Sequence, residues 1–394
     1  MSRPLAVVAT AAVLVAAAVR AESPADYVPK LAEFPPAGVG VELAGELVTV
    51  DHVNRRGGLR LDGDFQEDRY HSAPTFAFAL LPYGEVYFHG APADLHDVPL
   101  GTRLVGRFVL PPEGDTTVPA VASKYLPPQN HALLLEDDFS RALRAGRGWK
   151  VTAFDREQGR LTLEAVSLAG EPVAGSEPVT HSVDGSTRIW KGTGFGTLDD
   201  LAAAAAADGV IQLNLTWHPA WANKQFHCSD LWLDPPAWEA ASERQRQRHL
   251  RRMNLYWVPA RIDSVQHDAA GKGGLTVTLL GGFDPEVYKR FTVKPDVSNS
   301  EFPVYVACAA ATLRSWWQNH DKASATVTAR REVPDPPLGS SGIELDIRLN
   351  SPLQEGFQPG RFVRLAVVWN HHGGRASPEP HTVKPPPEWR LSFP

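Results

Sequence analysis

A small group of histidines with one cysteine could bind a transition metal. His218, His227 and Cys228 lie close together in the chain, and His249 follows on a segment that predicts a helix. Imidazole and thiolate ligands suit copper or zinc. Because the spacing matches none of the common zinc patterns, a metal or redox centre around Cys228 is an alternative interpretation. The sequence predicts no resident cofactor.

The two cysteines of the chain, Cys228 and Cys308, allow a different interpretation. In an oxidising compartment an even pair of cysteines can form one disulfide. A free cysteine also packs as a small hydrophobic residue, and Cys308 lies in the apolar run VYVACAAATL. One disulfide and two separate buried thiols are both open at this point.

The sequence contains none of the motifs whose spacing carries a familiar catalytic mechanism. It lacks an H-E-x-x-H zinc helix, a Walker loop, a nucleophile elbow and a C-x-x-C pair. The glycine-rich stretch GTGFG at 192–196 predicts a turn, since Thr197 stands where a dinucleotide fingerprint needs its third glycine. The sequence therefore favours a protein that is not an enzyme.

Tryptophan residues are the candidate ligand contacts. The chain contains 11 Trp against 8 Tyr, a balance that suits either barrel cores or stacking surfaces. Large aromatic side chains supply most of the buried area in small β cores, and those that stay exposed would form flat platforms for a ligand. The candidates are Trp217, Trp221, Trp232, Trp238, Trp316 and Trp317.

Length and composition describe a globular chain without a strong charge. With 394 residues, of which 43% are hydrophobic, it can bury a large core. This length favours about two to three domains. The formal net charge of −6 favours neither nucleic acid nor anionic lipid as a partner.

The first 21 residues predict a secretory signal peptide. Arg3 precedes an apolar run at 5–19, and the run ends in Val19, Arg20 and Ala21, which suit a signal peptidase. Cleavage after Ala21 would place the mature chain in the periplasm or outside the cell. The run is shorter than the about 20 apolar residues of a membrane span. We expect no membrane span in the mature chain, while cleavage or retention of the signal stays open.

Three related β units follow in the sequence. The first opens with GELVTVDHVNRRGGLRLDG and closes with ADLHDVPLGTRLVGRF, and looser copies of this pattern occur twice more. The predicted segments are an extended lead-in at 22–40, unit one at 41–112, a linker at 113–145 with a helix at 131–144, unit two at 146–233, unit three at 258–370 and a tail rich in proline and histidine at 371–394.

A long helix is predicted at 234–257, between units two and three. Asp234 suits its N-cap and Pro235 its first turn, and a shorter helix with Thr197 as N-cap is predicted at 198–207. The narrow apolar stripe of the long helix contains Trp238, Ala241, Leu250 and Met253, with Tyr256 as a further candidate at its end. Its basic face, either solvated or a docking surface for an acidic partner or phosphate, contains Arg244, Arg246, Arg248, Arg251 and Arg252.

The first two units carry the motifs of a recognisable architecture. Unit one has VTVDHVNRRGGLRLDG with DLHDVPLGTRLVGRF, and unit two has VTAFDREQGRLTLEA with STRIWKG and LDDLAAAAAADGVIQLNL. This order resembles the small OB-like repeats of exported bacterial proteins of unknown function. The resemblance implies a mainly β fold of about three OB-like barrels in tandem, and export. Unit three departs from the pattern by a longer insertion, and the resemblance brings no catalytic residues.

The sequence as a whole favours an exported, non-catalytic binding or interaction protein. OB-type barrels bind oligomeric ligands on one side of the sheet, so the partner is expected to be a protein, a peptide or a glycan. Export and the acidic balance argue against nucleic acid. The alternatives are the metal or redox protein around Cys228 and an exported hydrolase with an unfamiliar site.

Overall fold

The computed structural model is mainly β and contains three closed β-barrels in tandem, as predicted. None of its described helices is long and apolar enough to cross a membrane. The residues that the structure describes are 27, 33–36, 38–51, 55–62, 75–109, 130–207, 209–217, 226–253, 258–267, 272–293, 304–308 and 322–367.

Barrel one closes because its second and third strands pair with each other. The sheet order is β2-β1-β5-β6-β3-β4, and the added β2–β3 pairing joins the two sides. Strands β3 and β6 run parallel, whereas the other neighbours are antiparallel. The strands are β1 (Val41–Asp51), β2 (Arg56–Leu61), β3 (Thr75–Phe88), β4 (Ala91–Ala93), β5 (Arg103–Val109) and β6 (Asn130–Asp137).

The predicted end of unit one at residue 112 is wrong, because the sequence NHALLLED forms strand β6 rather than linker or helix. Both faces of this strand are buried. Leu135 lies in the core of barrel one, whereas Leu133 packs into the interface with barrel three. A strand buried on both faces has no alternation of apolar and polar residues. Helix α1 is confined to Asp138–Arg144.

Five strands of barrel two, β8-β7-β12-β13-β9, follow the same order as β2-β1-β5-β6-β3 of barrel one. Its sheet runs β11-β10-β13-β12-β7-β8-β9, and a parallel β13–β9 pairing closes it. Helix α2 (Leu198–Ala206) begins at Thr197, whose capping box with Asp200 confirms the predicted start. The strands are β7 (Arg147–Asp155), β8 (Arg160–Ser167), β9 (Val179–Ser182), β10 (Arg188–Lys191), β11 (Gly194–Phe195), β12 (Val210–Trp217) and β13 (Phe226–Trp232).

Barrel three is built differently from the first two. Its six strands close in the order β14-β15-β18-β17-β16-β19, and every neighbouring pair is antiparallel. Unit three is therefore a barrel without the strand order of the other two. The elements are β14 (Val258–His267), β15 (Lys272–Leu280), α4 (Pro285–Tyr288), β16 (Val304–Cys308), β17 (Lys322–Glu332), β18 (Ser340–Pro352) and β19 (Phe362–Val367).

Helix α3 (Pro235–Met253) lies between barrels two and three, as predicted. Asp234 accepts the backbone N–H of Ala237 at 2.9 Å, so the predicted N-cap is confirmed. The buried face includes two polar side chains that the predicted apolar stripe omitted, Gln245 and His249. Since a buried polar group needs a hydrogen-bond partner, α3 packs against polar parts of its neighbours.

Barrels one and three share an apolar interface. Leu81 and Leu133 of barrel one pack with Leu280 and Phe362 of barrel three. Tyr83 completes this cluster, with its ring centroid 6.2 Å from that of Phe362. Because these side chains exclude water over a continuous area, the two barrels form one packed unit.

Barrels one and two meet through a polar network, beside the apolar contact of Phe139 in α1 with Trp232 of β13. The Asp137 carboxylate accepts the side-chain amide of Asn214 at 2.7 Å and the backbone N–H groups of His89 at 2.9 Å and Ser140 at 2.8 Å. The next residue, Asp138, pairs with Arg103 and accepts the backbone N–H of Leu215 at 3.2 Å.

The same network extends to the end of β12. Arg103 donates to Asp62 at 2.8 Å, and the indole of Trp217 donates to the other carboxylate oxygen of Asp62 at 2.9 Å. A single carboxylate thus receives one donor from each barrel. The relative position of barrels one and two is therefore set by directional contacts rather than by apolar packing alone.

Candidate ligand-binding cleft

A cleft lies where barrel one, barrel three and the second half of α3 meet. Its volume is about 570 Å³, including space open to solvent. Strands β3 and β4 form one side, the loop after β15 forms the opposite side, and α3 lies along the third. The side chains that define it are Glu85, Val86, Asp94, His249, Met253 and Phe283.

The two barrels approach each other closely at a glycine in the loop after β15. A Cβ atom at Gly281 would lie 2.4 Å from a carboxylate oxygen of Glu85 and 3.0 Å from the backbone carbonyl oxygen of Ser340, so a side chain there would force Glu85 to move. On α3, spacing by four residues places Gln245, His249 and Met253 on one face. The cleft is therefore lined by backbone on one wall and by a helix face on another.

Glu85 is a buried carboxyl at the wall shared by the two barrels. Its two oxygens accept the Tyr87 hydroxyl at 3.0 Å and the backbone N–H of Gly339 at 3.1 Å. Burial raises the pKa of Glu85 above its ordinary value, although both hydrogen bonds favour the charged form. Burial also raises the pKa of Tyr87, so this hydroxyl keeps its proton and donates.

Asp94 brings a second carboxyl to the cleft. One oxygen accepts the backbone N–H of His96 at 2.7 Å, and the other lies 3.0 Å from the guanidinium of Arg252. Burial, followed by the charge of Asp97, raises the pKa of Asp94 in spite of Arg252. Both carboxyls of the cleft are thus poorly solvated in their charged forms.

His249 supplies a hydrogen-bond donor. Its side chain is buried, and burial lowers its pKa to about 4, so the imidazole is neutral at pH 7. Nε2 accepts the backbone N–H of Asp284 at 3.4 Å. The proton of the neutral ring is therefore assigned to Nδ1. Among the described residues this nitrogen has no acceptor, and the ring lines the cleft.

These groups form a small-molecule site of the usual construction. Two carboxyls and one N–H lie at a cavity that is also lined by the apolar side chains of Val86, Met253 and Phe283. The guanidinium of Arg55 is at the same cavity, where it donates to the backbone carbonyls of Leu81 at 2.8 Å and Pro82 at 3.2 Å. Such an arrangement can bind a cation through the carboxylates and orient it through the imidazole. Comparisons with protein-family models, curated proteins and solved structures found no match for the chain.

One group of described side chains has the spacing of metal ligands, and it lies at the edge of this cleft. Atoms of Asp94, His96 and Asp97 fall within 4.8 Å of one another. Arg252 pairs with Asp94, and the amide of Gln245 lies 3.3 Å from Asp97. A bound dication would have to replace these contacts, so this geometry favours the salt bridge.

The predicted metal set around Cys228 is not brought together. His227 lies on β13, where its ring nitrogens contact the hydroxyls of Ser182 at 3.3 Å and Ser186 at 3.0 Å. Cys228 follows directly and points to the opposite face, as neighbours on a strand do. His249 lies in the cleft on another element. The prediction is wrong for these three residues, and His218 lies outside the described residues.

Of the two interpretations left open for the cysteines, the disulfide does not apply to Cys228. Its thiol is free and fully buried in the core of barrel two, and burial raises its pKa, which makes it a poor nucleophile. Cys308 belongs to β16 of barrel three. Of the two interpretations of the cysteines, the separate buried thiol describes Cys228.

Three of the six candidate tryptophans are buried rather than exposed. Trp217, Trp232 and Trp238 expose 2%, 1% and 8% of their surface, so none is a ligand platform. Trp232 packs against Phe139 with centroids 4.8 Å apart. Trp221, Trp316 and Trp317 lie outside the described residues, and they stay predictions.

The cleft residues carry weak signals in the sequence. Glu85 and Asp94 belong to short polar stretches of unit one, and His249 lies within a run of arginines and glutamines. A buried stripe at four-residue spacing, 241-245-249-253, is visible in the helix once polar members are allowed. No local pattern places the three residues next to one another.

Two buried histidines predict a loss of stability in mild acid. Burial lowers the pKa of His249 to about 4, and burial with the charge of Arg103 does the same for His181. The unfolded chain binds these protons first, because an unperturbed histidine has a pKa of about 6.5. We expect the free energy of unfolding to fall as the pH drops from about 6.5 towards 4, by up to about 3 kcal/mol per histidine.

Urea unfolding at pH 7 and pH 5 measures this effect. Replacing His181 or His249 with glutamine removes one of the two titrations, so each variant should lose less stability over that interval than the native chain. Asp138, whose pKa is raised, acts in the opposite direction in all three proteins and cancels in the comparison. Equal losses in variant and native chain would show that the histidine is protonated in the fold.

Proposed function

We propose that this chain is an exported, non-catalytic binding protein and that the cleft between barrels one and three binds its ligand. The convergence of Glu85, Asp94 and His249 on one cavity supports this function best. A concave site in which a few polar groups are set among apolar walls is the usual way in which proteins bind small molecules. The ligand is a small organic cation that carries an apolar group.

The charge state of the cleft supports a cation. Both carboxyls are costly to ionise where they stand, because burial raises the pKa of each. Arg252 already lies beside Asp94, so an ammonium or guanidinium group of the ligand would act mainly on Glu85, whose ionised form it would stabilise. The N–H of His249 would donate to an acceptor on the same ligand, and Phe283 and Met253 would cover its apolar part. A neutral molecule of the same shape gains only the last of these contacts.

Two further features support the wider assignment. In barrel one, β1 pairs with β2 and β5, and β3 runs parallel to β6. In barrel two, β7 pairs with β8 and β12, and β9 runs parallel to β13. We assign these two barrels to the OB type on this order. The signal-like sequence at residues 1–21 supports export to the periplasm or the cell exterior.

Titration calorimetry with matched probes tests the proposal. Phenethylamine, agmatine and putrescine are compared with 2-phenylethanol and 1,4-butanediol, which keep the shape of two probes without the charge. We expect at least one amine to bind, and its neutral counterpart to bind about ten-fold more weakly or not at all. Recovery of the probe unchanged after incubation checks that the site does no chemistry.

Two isosteric variants assign binding to the cleft. Glu85→Gln and Asp94→Asn remove one charge each and keep the side-chain shape, so each should weaken amine binding about ten-fold. Asp199→Asn is the matched control, because the Asp199 carboxylate lies in barrel two with 79% of its side chain exposed. If both cleft variants bound the amine with the affinity of the native chain, the assignment to the cleft would be refuted. Binding of a divalent metal with no amine bound would do the same.

A further inference from the structure

The largest exposed apolar side chain among the described residues projects from barrel two. Phe195 of β11 is 75% exposed. Its ring stacks on that of Trp190, with centroids 4.4 Å apart and planes 25° from parallel. Strands β10 and β11 form a hairpin, and β11 is the edge of the sheet. Together with the Trp190 ring beneath it, this side chain forms an aromatic patch beside an unpaired sheet edge, where another chain could pack.

Several hydrogen bonds fix the hairpin in place. The indole of Trp190 donates to Asp230 at 3.0 Å. The backbone N–H of Gly192 donates to Asp234, the residue that caps α3, at 3.0 Å. Gly196 closes the hairpin through its N–H to Ile189 at 2.8 Å. The ring of Phe195 is therefore presented in one orientation before any partner arrives, which lowers the entropy cost of docking.

A row of arginines continues the surface along α3. The guanidinium of Arg244 lies 5.2 Å from the ring centroid of Trp190. Arg248 and Arg251 are exposed at the next two turns of the same face. In the described part of the chain neither has an ion-pair partner, whereas Arg246 pairs with Asp284 and Arg252 with Asp94. The predicted basic face thus divides into a paired half and an exposed row.

We propose that this aromatic and arginine surface docks an acidic, extended segment of a partner protein. The surface is formed by Trp190, Phe195, Arg244, Arg248 and Arg251. It is separate from the cleft, and its partner is a macromolecule.

The spacing of the arginines fits an extended chain. Arg244 and Arg248 are about 6 Å apart along the helix axis, and Arg248 and Arg251 about 4.5 Å. Carboxylates at alternate positions of an extended segment recur about every 6.4–6.8 Å. The first spacing therefore matches two such carboxylates directly, whereas Arg251 reaches the next one through its long side chain. One apolar side chain of the segment would pack on Phe195, and the open edge of β11 offers backbone groups for pairing.

The charges next to Phe195 favour a peptide over a membrane surface. The two nearest cations on the hairpin are already paired, Arg188 with Asp230 at 2.6 Å and Lys191 with Asp200 at 2.8 Å. Glu239 and Glu243 are exposed on α3 as well. A flat anionic lipid surface would meet these carboxylates together with the arginines, whereas a single extended chain can follow the row of arginines alone.

Fluorescence anisotropy with labelled peptides tests the docking surface. One peptide carries aspartates at alternate positions around a central phenylalanine, and the control peptide replaces each aspartate with asparagine. We expect the acidic peptide to bind at least about ten-fold more tightly, with an affinity that falls as salt rises. Equal binding of the two peptides, or none, would overturn the proposal.

Surface variants locate the binding. Phe195→Ser and the double variant Arg248→Glu/Arg251→Glu should each weaken peptide binding about ten-fold or more. Arg156→Glu is the matched control, because Arg156 is an exposed arginine of barrel two that pairs with Asp199. All four residues are exposed, so circular dichroism should be unchanged. The proposal would be overturned if the control variant lost as much peptide binding as the surface variants. It would also be overturned if the chain bound phosphatidylglycerol vesicles or polygalacturonate but not the peptide.

Discussion

Replacing Asp137 with alanine is expected to lower the free energy of unfolding by about 5 kcal/mol. The carboxylate is fully buried and accepts three hydrogen bonds, from Ser140, His89 and Asn214. Each hydrogen bond to a charged group contributes about 1.5–3 kcal/mol. Alanine removes all three and leaves the donors buried without an acceptor.

The location of Asp137 makes this effect larger than that of an ordinary helix cap. One bond starts α1, the second fixes the turn after β3, and the third connects barrel one to β12 of barrel two. Asparagine keeps one acceptor oxygen and loses the charge, so Asp137→Asn should cost about half as much. The order of stability is therefore expected to be native, asparagine variant, alanine variant.

Urea unfolding followed by circular dichroism measures both variants. The control is Asp199→Ala, because Asp199 is an exposed carboxylate whose ion pair with Arg156 should contribute less than about 1 kcal/mol. A loss of less than about 1 kcal/mol for Asp137→Ala would contradict the three-bond network.

Replacing Arg103 with methionine is expected to cost about 4 kcal/mol at pH 8. Its guanidinium lies between Asp62 and Asp138, and its side chain is only 16% exposed. Methionine fills much of the same volume, so the loss arises from two carboxylates that stay buried without a counter-ion. Arg156→Met is the matched control, since that arginine is 58% exposed and faces an exposed partner.

The cost of removing Arg103 should shrink in mild acid. Burial raises the pKa of Asp138 to about 6 even with the arginine present. A carboxyl whose pKa is higher in the fold than in the unfolded chain stabilises the fold as the pH drops from the folded value to the unfolded one. Without Arg103 the folded pKa of Asp138 rises further, so the protonated, neutral form replaces the missing ion pair.

Unfolding curves of the native chain and Arg103→Met at pH 8 and pH 5 measure this interval. We expect the difference between the two proteins to be smaller at pH 5 than at pH 8, while Arg156→Met shows little change between them. A difference that grows in acid would mean that Asp138 stays ionised and that the arginine acts mainly by packing.

Local chemistry explains which elements were predictable. Helices α2 and α3 were predicted because Thr197 and Asp234 mark their starts through hydrogen bonds to residues three positions on. Strand β6 was missed because its burial on both faces depends on barrel three, and its own sequence cannot show that. Barrel three was expected to be a looser copy of barrel one. Its strands pair in a different order, because strands that are distant in sequence lie next to each other.

The candidate site illustrates the same limit. His227 and Cys228 are neighbours in sequence, yet strand geometry directs them to opposite faces. Glu85, Asp94 and His249 are distant in sequence, and the packing of α3 against two barrels brings them to one cavity. Sequence reasoning favours groups that are close along the chain, whereas this cleft is assembled from separate units.

The contact between Glu85 and Gly339 can form only late in the synthesis of the chain. Asp137 meets its partner Asn214 after a gap of 77 residues, whereas Glu85 meets Gly339 only after 254. The longer loop costs only about 1 kcal/mol more to close. The later synthesis of Gly339 therefore affects the order of assembly more than the entropy of loop closure does. As the chain emerges from its N-terminus, barrel one joins barrel two first and barrel three last. Barrel three closes only when β19 pairs with β14, so its wall of the cleft is complete, and a nascent chain can bind ligand, only after β19 has been made.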